Sequence, residues 1–136
     1  MREILCRGKR TENNKWVEGY YVCTHDYLDN KEIHLIFCDD STVYPHNEIA
    51  GTVEVDPKTI GRFTGLTDKN CVKIFEGDIV RSRITGEEFI VIWDELYSAF
   101  AIRNSKVRYG FPKYNAESYQ VVGNIHDNFD LLEGNK

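Results

Sequence analysis

Four side chains in the first third of the chain could hold a metal ion. Cys23 and His25 lie two residues apart on one predicted strand, and His34 and Cys38 lie on the next. Thiolate and imidazole groups that share a strand face are the usual ligands of tetrahedral zinc. In structural zinc sites, however, the ligands usually come in closely spaced pairs on tight turns, and this chain has no C-x-x-C pair. We therefore predict no metal and no cofactor, so that a chelator leaves the melting temperature unchanged.

Carboxylates further along the chain could do acid–base or metal-dependent hydrolytic chemistry. Glu76 and Asp78 flank Gly77, and His126 precedes Asp127. We interpret Asp78 as a turn residue whose carboxylate accepts backbone N–H groups, and adjacent residues such as His126 and Asp127 point apart in extended structure. The G-x-S-x-G, H-E-x-x-H and P-loop patterns are all missing from the sequence. We predict that the protein is not an enzyme, with a metal-dependent hydrolase as an alternative.

Basic and aromatic residues alternate in the segment "KVRYGFPKY" at residues 106–114. Gly110 and Pro112 interrupt regular structure there, which is typical of a loop that contacts a phosphate or a protein surface. Arginines on neighbouring strands could extend this segment into a basic patch for single-stranded nucleic acid, although a solvated strand face is the favoured interpretation. The predicted interaction residues are Arg81, Arg83, Arg103, Lys106, Arg108, Tyr109, Phe111, Lys113 and Tyr114.

The bulk composition is that of a folded protein of 136 residues with 41% apolar and 29% charged residues. Its formal charge of −5 disfavours nucleic acid as a partner. The sequence contains neither an apolar run of membrane-spanning length nor a secretory leader, which predicts a cytoplasmic protein. The four cysteines are scattered along the chain, and we predict that they are free thiols.

Short strands joined by tight turns account for most of the sequence. The segments "KWVEGYYVCT" and "EIHLIFC" are rich in aromatic and β-branched residues, and "GDIVRSRI" and "EFIVIWD" flank a "TGE" turn. No segment has the apolar period of a long helix. The pattern predicts a mainly β protein in which residues 57–136 form an SH3-like barrel and residues 1–56 form an amino-terminal sheet region. In such a fold Gly61, Gly65 and Gly77 would allow backbone angles or close approaches at corners that other residues would block.

The amino-terminal strands carry apolar residues on both faces, yet they are too few to close a barrel. One face or edge would therefore be exposed in a monomer, and burying it against a symmetry mate solves that problem. We predict a homo-oligomer whose interface includes Ile36 and Phe37. The alternative is that the carboxy-terminal barrel covers these strands within one chain.

Three segments together resemble the YopX family of bacteriophage and prophage proteins. They are "VDPKTIGRFTGLTDKNCVKIFEGDIV" at residues 55–80, "YQVVGNIHDNFDLL" at residues 119–132, and the opening "MREILCRGK". The family motif has Gly after Asp-Lys-Asn, where this chain has Cys71, and a Cys there predicts a turn of different geometry.

The resemblance implies an accessory protein of phage or prophage origin, mostly β, that self-associates. It implies no catalytic residue, because the family itself has no assigned activity. Together with the absence of a catalytic pattern, this favours a non-catalytic module that binds an unidentified host or phage protein. Weak binding of single-stranded nucleic acid is the second alternative.

Overall fold

Antiparallel strands make up nearly all of the regular structure. The structure is a computed structural model that describes residues 5–37, 51–112 and 115–128. Within those ranges it has eleven β-strands and two short 3-10 turns, so the prediction of a mainly β protein is confirmed. The chain divides into two compact units, Met1–Arg62 and Phe63–Lys136. In the parts described, no helix has the length and apolar character needed to cross a membrane.

The first unit is one antiparallel sheet with a small core. Its strand order is β4-β3-β2-β1, and the first residues of β5 pair with β1. Val17, Ile36 and Val55 form the buried core, with Ile60 packed against them. A 3-10 turn at Pro57–Thr59 begins at Asp56, whose side chain accepts from the Lys58 N–H at 3.0 Å. The strands are β1 (Cys6–Lys9), β2 (Trp16–His25), β3 (Glu32–Phe37), β4 (Thr52–Glu54) and β5 (Gly61–Thr67).

Strands β2 and β3 form a long hairpin whose spacing depends on a glycine. The pairing runs from Tyr20 opposite Phe37 to His25 opposite Glu32. A Cβ on Gly19 would overlap the carbonyl oxygen of Phe37, so only glycine lets the two backbones approach this closely. The hairpin therefore extends beyond the core of the unit with its register fixed.

The second unit holds a five-stranded antiparallel sheet in the order β10-β9-β8-β7-β11. The pairings within the described residues leave β10 and β11 as edges, so the predicted SH3-like barrel is not seen as a closed barrel. A 3-10 turn at Ala116–Ser118 precedes the last strand. Its strands, besides the end of β5, are β6 (Lys73–Phe75), β7 (Asp78–Ser82), β8 (Glu88–Asp94), β9 (Ala99–Arg103), β10 (Arg108–Gly110) and β11 (Tyr119–Asn124). Its core is formed by Ile74, Val80, Phe89, Val91, Ile102 and Tyr119.

Two buried aspartates of the motif at residues 55–80 bind backbone amides. Asp78 is 1% exposed, and its carboxylate accepts from the Phe75 N–H at 2.7 Å, which is the turn role predicted for it. Gly77 beside it has φ +93°, a conformation that favours glycine. Asp68 accepts from Asn70 and Val72 in its own turn, and from Val121 of β11. The acidic residues of this motif therefore hold strands and turns in place.

Cys71 takes the conformation that glycine takes most easily. Its φ is +63°, and its N–H donates to the Asp68 carbonyl at 3.0 Å. Asp68 in turn donates its N–H to the Val72 carbonyl at 2.9 Å. An Asn-Gly turn of type I′ needs positive φ at both central residues, whereas here Cys71 has it and Asn70 does not, so the turn differs from that type as expected. The side-chain and backbone bonds of Asp68 hold Cys71 in the left-handed region.

We expect Cys71→Gly to raise the free energy of unfolding by up to about 1 kcal/mol. The left-handed region costs an L-residue about 1–2 kcal/mol, and the extra freedom of glycine in the unfolded chain offsets about half of that gain. Thermal unfolding followed by circular dichroism measures the change. Cys71→Ala keeps the Cβ and is the matched control, so a gain in stability from alanine equal to that from glycine would contradict the explanation.

Candidate functional site

The arginines predicted to form a basic patch lie beside acidic or carbonyl partners. Arg81 pairs with Glu88 at 3.1 Å, and Arg108 pairs with the buried Asp94 at 3.2 Å. Arg83 donates to the carbonyl of Glu117 at 2.9 Å. Neighbouring acceptors thus offset much of the positive charge on this sheet, which weakens the case for a phosphate-binding surface.

The aromatic residues predicted for the same surface pack inward instead. Tyr109 meets Phe89 edge-on at 6.1 Å, and Phe111 meets Tyr119 edge-on at 5.5 Å. Both rings are half-buried and lie against the core of the second unit. Arg103 and Lys106 are exposed, whereas Lys113 and Tyr114 lie outside the described residues. Strand β10 therefore occupies part of the segment that the sequence indicated as an interaction loop.

The two predicted self-association residues have opposite environments. Ile36 is 0% exposed and belongs to the core of the first unit, whereas Phe37 is 52% exposed. Because their side chains alternate across β3, only Phe37 can take part in an outer contact. A charged residue at position 36 would test folding rather than association.

Exposed apolar side chains concentrate on the β2–β3 hairpin. In the parts of the chain that are described, ten large apolar residues are exposed, and six of them lie on this hairpin. Tyr20, Val22 and Phe37 share one face because Tyr20 pairs with Phe37 and Val22 with Leu35. With the half-buried Ile33 and Leu35 they form a continuous surface, called here the apolar hairpin face. Tyr27 and Leu28, at the loop end of the hairpin, are fully exposed.

The opposite face of the same hairpin carries a compact group of polar side chains, Tyr21, Cys23, Glu32 and His34, called here the polar cluster. Cys23 lies directly across from His34, and Glu32 lies two residues before His34 on the same strand. Ligand atoms of Cys23, Glu32 and His34 all lie within 4.8 Å of one another. The Tyr21 hydroxyl lies 2.6 Å from His34 Nδ1, and the two rings stack with an interplanar angle of 3°.

Tyr21 has a shifted pKa within the polar cluster. Burial raises the pKa of Tyr21 above its ordinary value of 10.0, and the negative charge that Cys23 and Glu32 can carry raises it further. His34 Nε2 lies 3.4 Å from a Glu32 carboxylate oxygen, so the two groups form an ion pair when the imidazole is protonated.

The polar cluster contains two of the four side chains considered for a metal site from the sequence. Cys23 and His34 come together as the hairpin register requires, whereas Cys38 lies outside the described residues. His25 lies opposite Glu32 but is not part of the group of ligand atoms. Sequence reasoning missed Glu32, although its spacing from His34 in "EIH" places both on one strand face and could have indicated it.

Comparisons with known proteins give a family and a fold. The model of the YopX family, described as "YopX protein", matches residues 6–133, so the resemblance seen in the sequence is confirmed. The crystal structure of protein EF1440 from Enterococcus faecalis is similar, with a TM-score of 0.54 and 19% identity, over 97% of this chain and 99% of that one. At this identity the likeness shows the fold alone. No curated protein matches the chain.

Proposed function

The chain belongs to the YopX family, and from that premise we propose that it is a non-catalytic interaction module of phage or prophage origin that acts in the host cytoplasm. It works through protein–protein contact at the apolar hairpin face, and the first partner of that face is a second copy of the chain. The observation that carries the proposal is the concentration of exposed aromatic and aliphatic side chains on one hairpin.

The apolar hairpin face has the size and composition of an interface. A large aromatic side chain contributes about 150–250 Å² when it is fully buried, so the half-exposed Tyr20 and Phe37 each offer about 100 Å². With Val22, and with Tyr27 and Leu28 at the loop end of the same hairpin, the exposed apolar surface totals about 600 Å², against about 800 Å² per partner in a standard interface. Monomeric proteins rarely expose apolar surface on this scale without using it.

A second copy suits this face better than a charged partner does. The centre of the face consists of the uncharged Tyr20, Val22, Leu35 and Phe37, so two copies of a chain with net charge −5 can meet there through uncharged side chains, with the exposed Glu54 beside Leu35 at the margin. A two-fold axis repeats one such patch on both subunits and closes the assembly. Binding of nucleic acid is less well supported, because Arg81, Arg83 and Arg108 already have partners within the chain.

The SH3-like architecture remains the proposal for the second unit. Strands β7 to β10 form an antiparallel meander, a 3-10 turn follows, and β11 returns to pair with β7. Small barrels of the SH3 type use this strand order and commonly serve as binding modules. Curvature that brings β10 towards the opposite edge of the sheet would complete such a barrel.

We expect the double variant Tyr20→Glu, Phe37→Glu to be monomeric at concentrations where the unmodified chain is an oligomer. Two carboxylates at the centre of a symmetric face meet their own copies across the axis, which costs several kcal/mol. Light scattering after size-exclusion chromatography gives the mass. Since both side chains are about half exposed, circular dichroism should show an unchanged fold.

The matched control is Leu96→Glu, Tyr97→Glu, which changes two apolar residues of the second unit that are even more exposed than Tyr20 and Phe37. We expect the control to keep the mass of the unmodified protein. If the control dissociates the oligomer and the hairpin variant does not, the interface lies on the second unit and the proposal is wrong.

A further inference from the structure

We propose that Cys23, Glu32 and His34 bind a divalent transition-metal ion, Zn²⁺ being the best match, with a fourth coordination position open to water. The inference goes beyond the proposed function and is independent of it, because the polar cluster lies on the face of the hairpin opposite the apolar one. It rests on the mutual approach of three ligand atoms to within 4.8 Å. It replaces the sequence prediction of no metal, which did not include Glu32. We still expect folding itself to need no metal, so a chelator should leave the melting temperature of the metal-free protein unchanged.

The hairpin register brings the three ligands together without further backbone adjustment. Directly opposite residues in an antiparallel pair have Cβ atoms about 4.5–5.5 Å apart, and Cys23 and His34 are such a pair. Glu32 lies on the same face two residues from His34, and its longer side chain reaches back towards the imidazole. An ion bound there would join β2 to β3 beyond the core of the first unit.

The Tyr21 hydroxyl provides the outer support that metal-bound histidines usually have. His34 Nδ1 lies 2.6 Å from that hydroxyl, and Nε2 lies on the side of the Glu32 carboxylate. If Nδ1–H donates to the Tyr21 oxygen, the imidazole is held as the tautomer whose Nε2 lone pair faces the cluster. Stacking of the two rings fixes the plane of the imidazole as well.

The chemistry of the three donors selects the class of metal. A thiolate disfavours Ca²⁺ and Mg²⁺, which prefer oxygen ligands, whereas Zn²⁺ accepts sulfur, nitrogen and carboxylate oxygen together. Three protein ligands leave one tetrahedral position for a water molecule or an incoming group. The ligands carry up to two negative charges, which offsets the charge of the ion.

Isothermal titration with Zn²⁺ under reducing, thiol-free conditions tests the site, with Co²⁺ as the spectroscopic probe. We expect one ion per chain, and a cobalt–thiolate charge-transfer band that disappears in Cys23→Ser. Loss of a ligand should weaken Zn²⁺ binding by about 100-fold or more in each of Cys23→Ser, Glu32→Gln and His34→Gln. Tyr21→Phe removes only the outer-shell partner of His34 and should weaken binding by about 10-fold. The melting temperature should rise with Zn²⁺ in the unmodified protein, and the rise should be lost in Cys23→Ser, Glu32→Gln and His34→Gln.

Two matched controls separate this site from adventitious binding to thiol or imidazole groups. Cys71→Ser removes an exposed thiol of the second unit, and His25→Gln removes an exposed imidazole from the same hairpin face. Both should bind Zn²⁺ as the unmodified chain does. The assignment would be wrong if a control lost as much Zn²⁺ affinity as its matching cluster variant. It would also be wrong if the cobalt complex of the unmodified protein showed no thiolate band, a result that does not depend on the stability of any variant.

Discussion

Asp68→Ala is expected to lower the free energy of unfolding by about 3 kcal/mol. Asp68 is 3% exposed, and one carboxylate oxygen accepts from the Asn70 and Val72 N–H groups at 2.8 and 3.0 Å. The other accepts from Val121 at 3.0 Å, a residue 53 positions later in the chain. Alanine leaves these donors unpaired, and the last of them anchors β11 to the turn.

Urea denaturation followed by tryptophan fluorescence and by circular dichroism measures this loss. Asp56→Ala is the matched control, since the Asp56 carboxylate also accepts a backbone N–H in a turn but bonds only locally, to Lys58. It should cost about 1 kcal/mol. Asp68→Asn replaces one acceptor oxygen with a donor and should cost nearly as much as alanine. Equal small losses for Asp68→Ala and Asp56→Ala would contradict the anchoring role.

Gly19→Ala is expected to destabilise the first unit by about 2–4 kcal/mol, or to prevent its folding. The added methyl group would overlap the Phe37 carbonyl oxygen and lie within 2.9 Å of Ile36 Cγ2. Backbone atoms cannot move aside as a flexible side chain can, so β2 and β3 must separate where Tyr20 pairs with Phe37. Both the apolar hairpin face and the polar cluster depend on that pairing.

Gly110→Ala is the matched control for this substitution. Gly110 also lies in a strand, but a Cβ added there would have no atom within 4 Å. Thermal unfolding should therefore show a large shift for Gly19→Ala and a small one for Gly110→Ala. A stable Gly19→Ala variant with unchanged hydrogen-exchange protection in β2 and β3 would show that the two strands are not packed this closely.

The strands that sequence reasoning located have strong local signals. "EFIVIWD" corresponds to β8 at Glu88–Asp94, and "KWVEGYYVCT" covers most of β2. Strands β5 and β6 were missed because glycines and turn residues dominate "GRFTGLTDKN", and their pairing depends on contacts such as Phe63 with Phe75. Strand β10 lies in a segment with Gly and Pro, and its pairing with β9 outweighs that local signal.

The candidate surfaces were harder to predict than the strands, because a sequence indicates which residues share a strand face but not which face is covered. Ile36 and Phe37 look equivalent in "EIHLIFC", yet one is core and the other is half exposed. Tyr109 and Phe111 were similarly predicted to be contact residues, whereas in the structure both pack against the core of the second unit. The pairing of Cys23 with His34 needed the hairpin register, which short polar loops leave undetermined.

The mass of the unmodified chain in solution shows whether the apolar hairpin face binds a second copy, and sedimentation equilibrium at several micromolar concentrations measures it without surface labels. We expect a mass of at least twice the 15.8 kDa of one chain, falling towards that value only on dilution. A mass of 15.8 kDa at every concentration would contradict the claim that the apolar hairpin face binds a second copy.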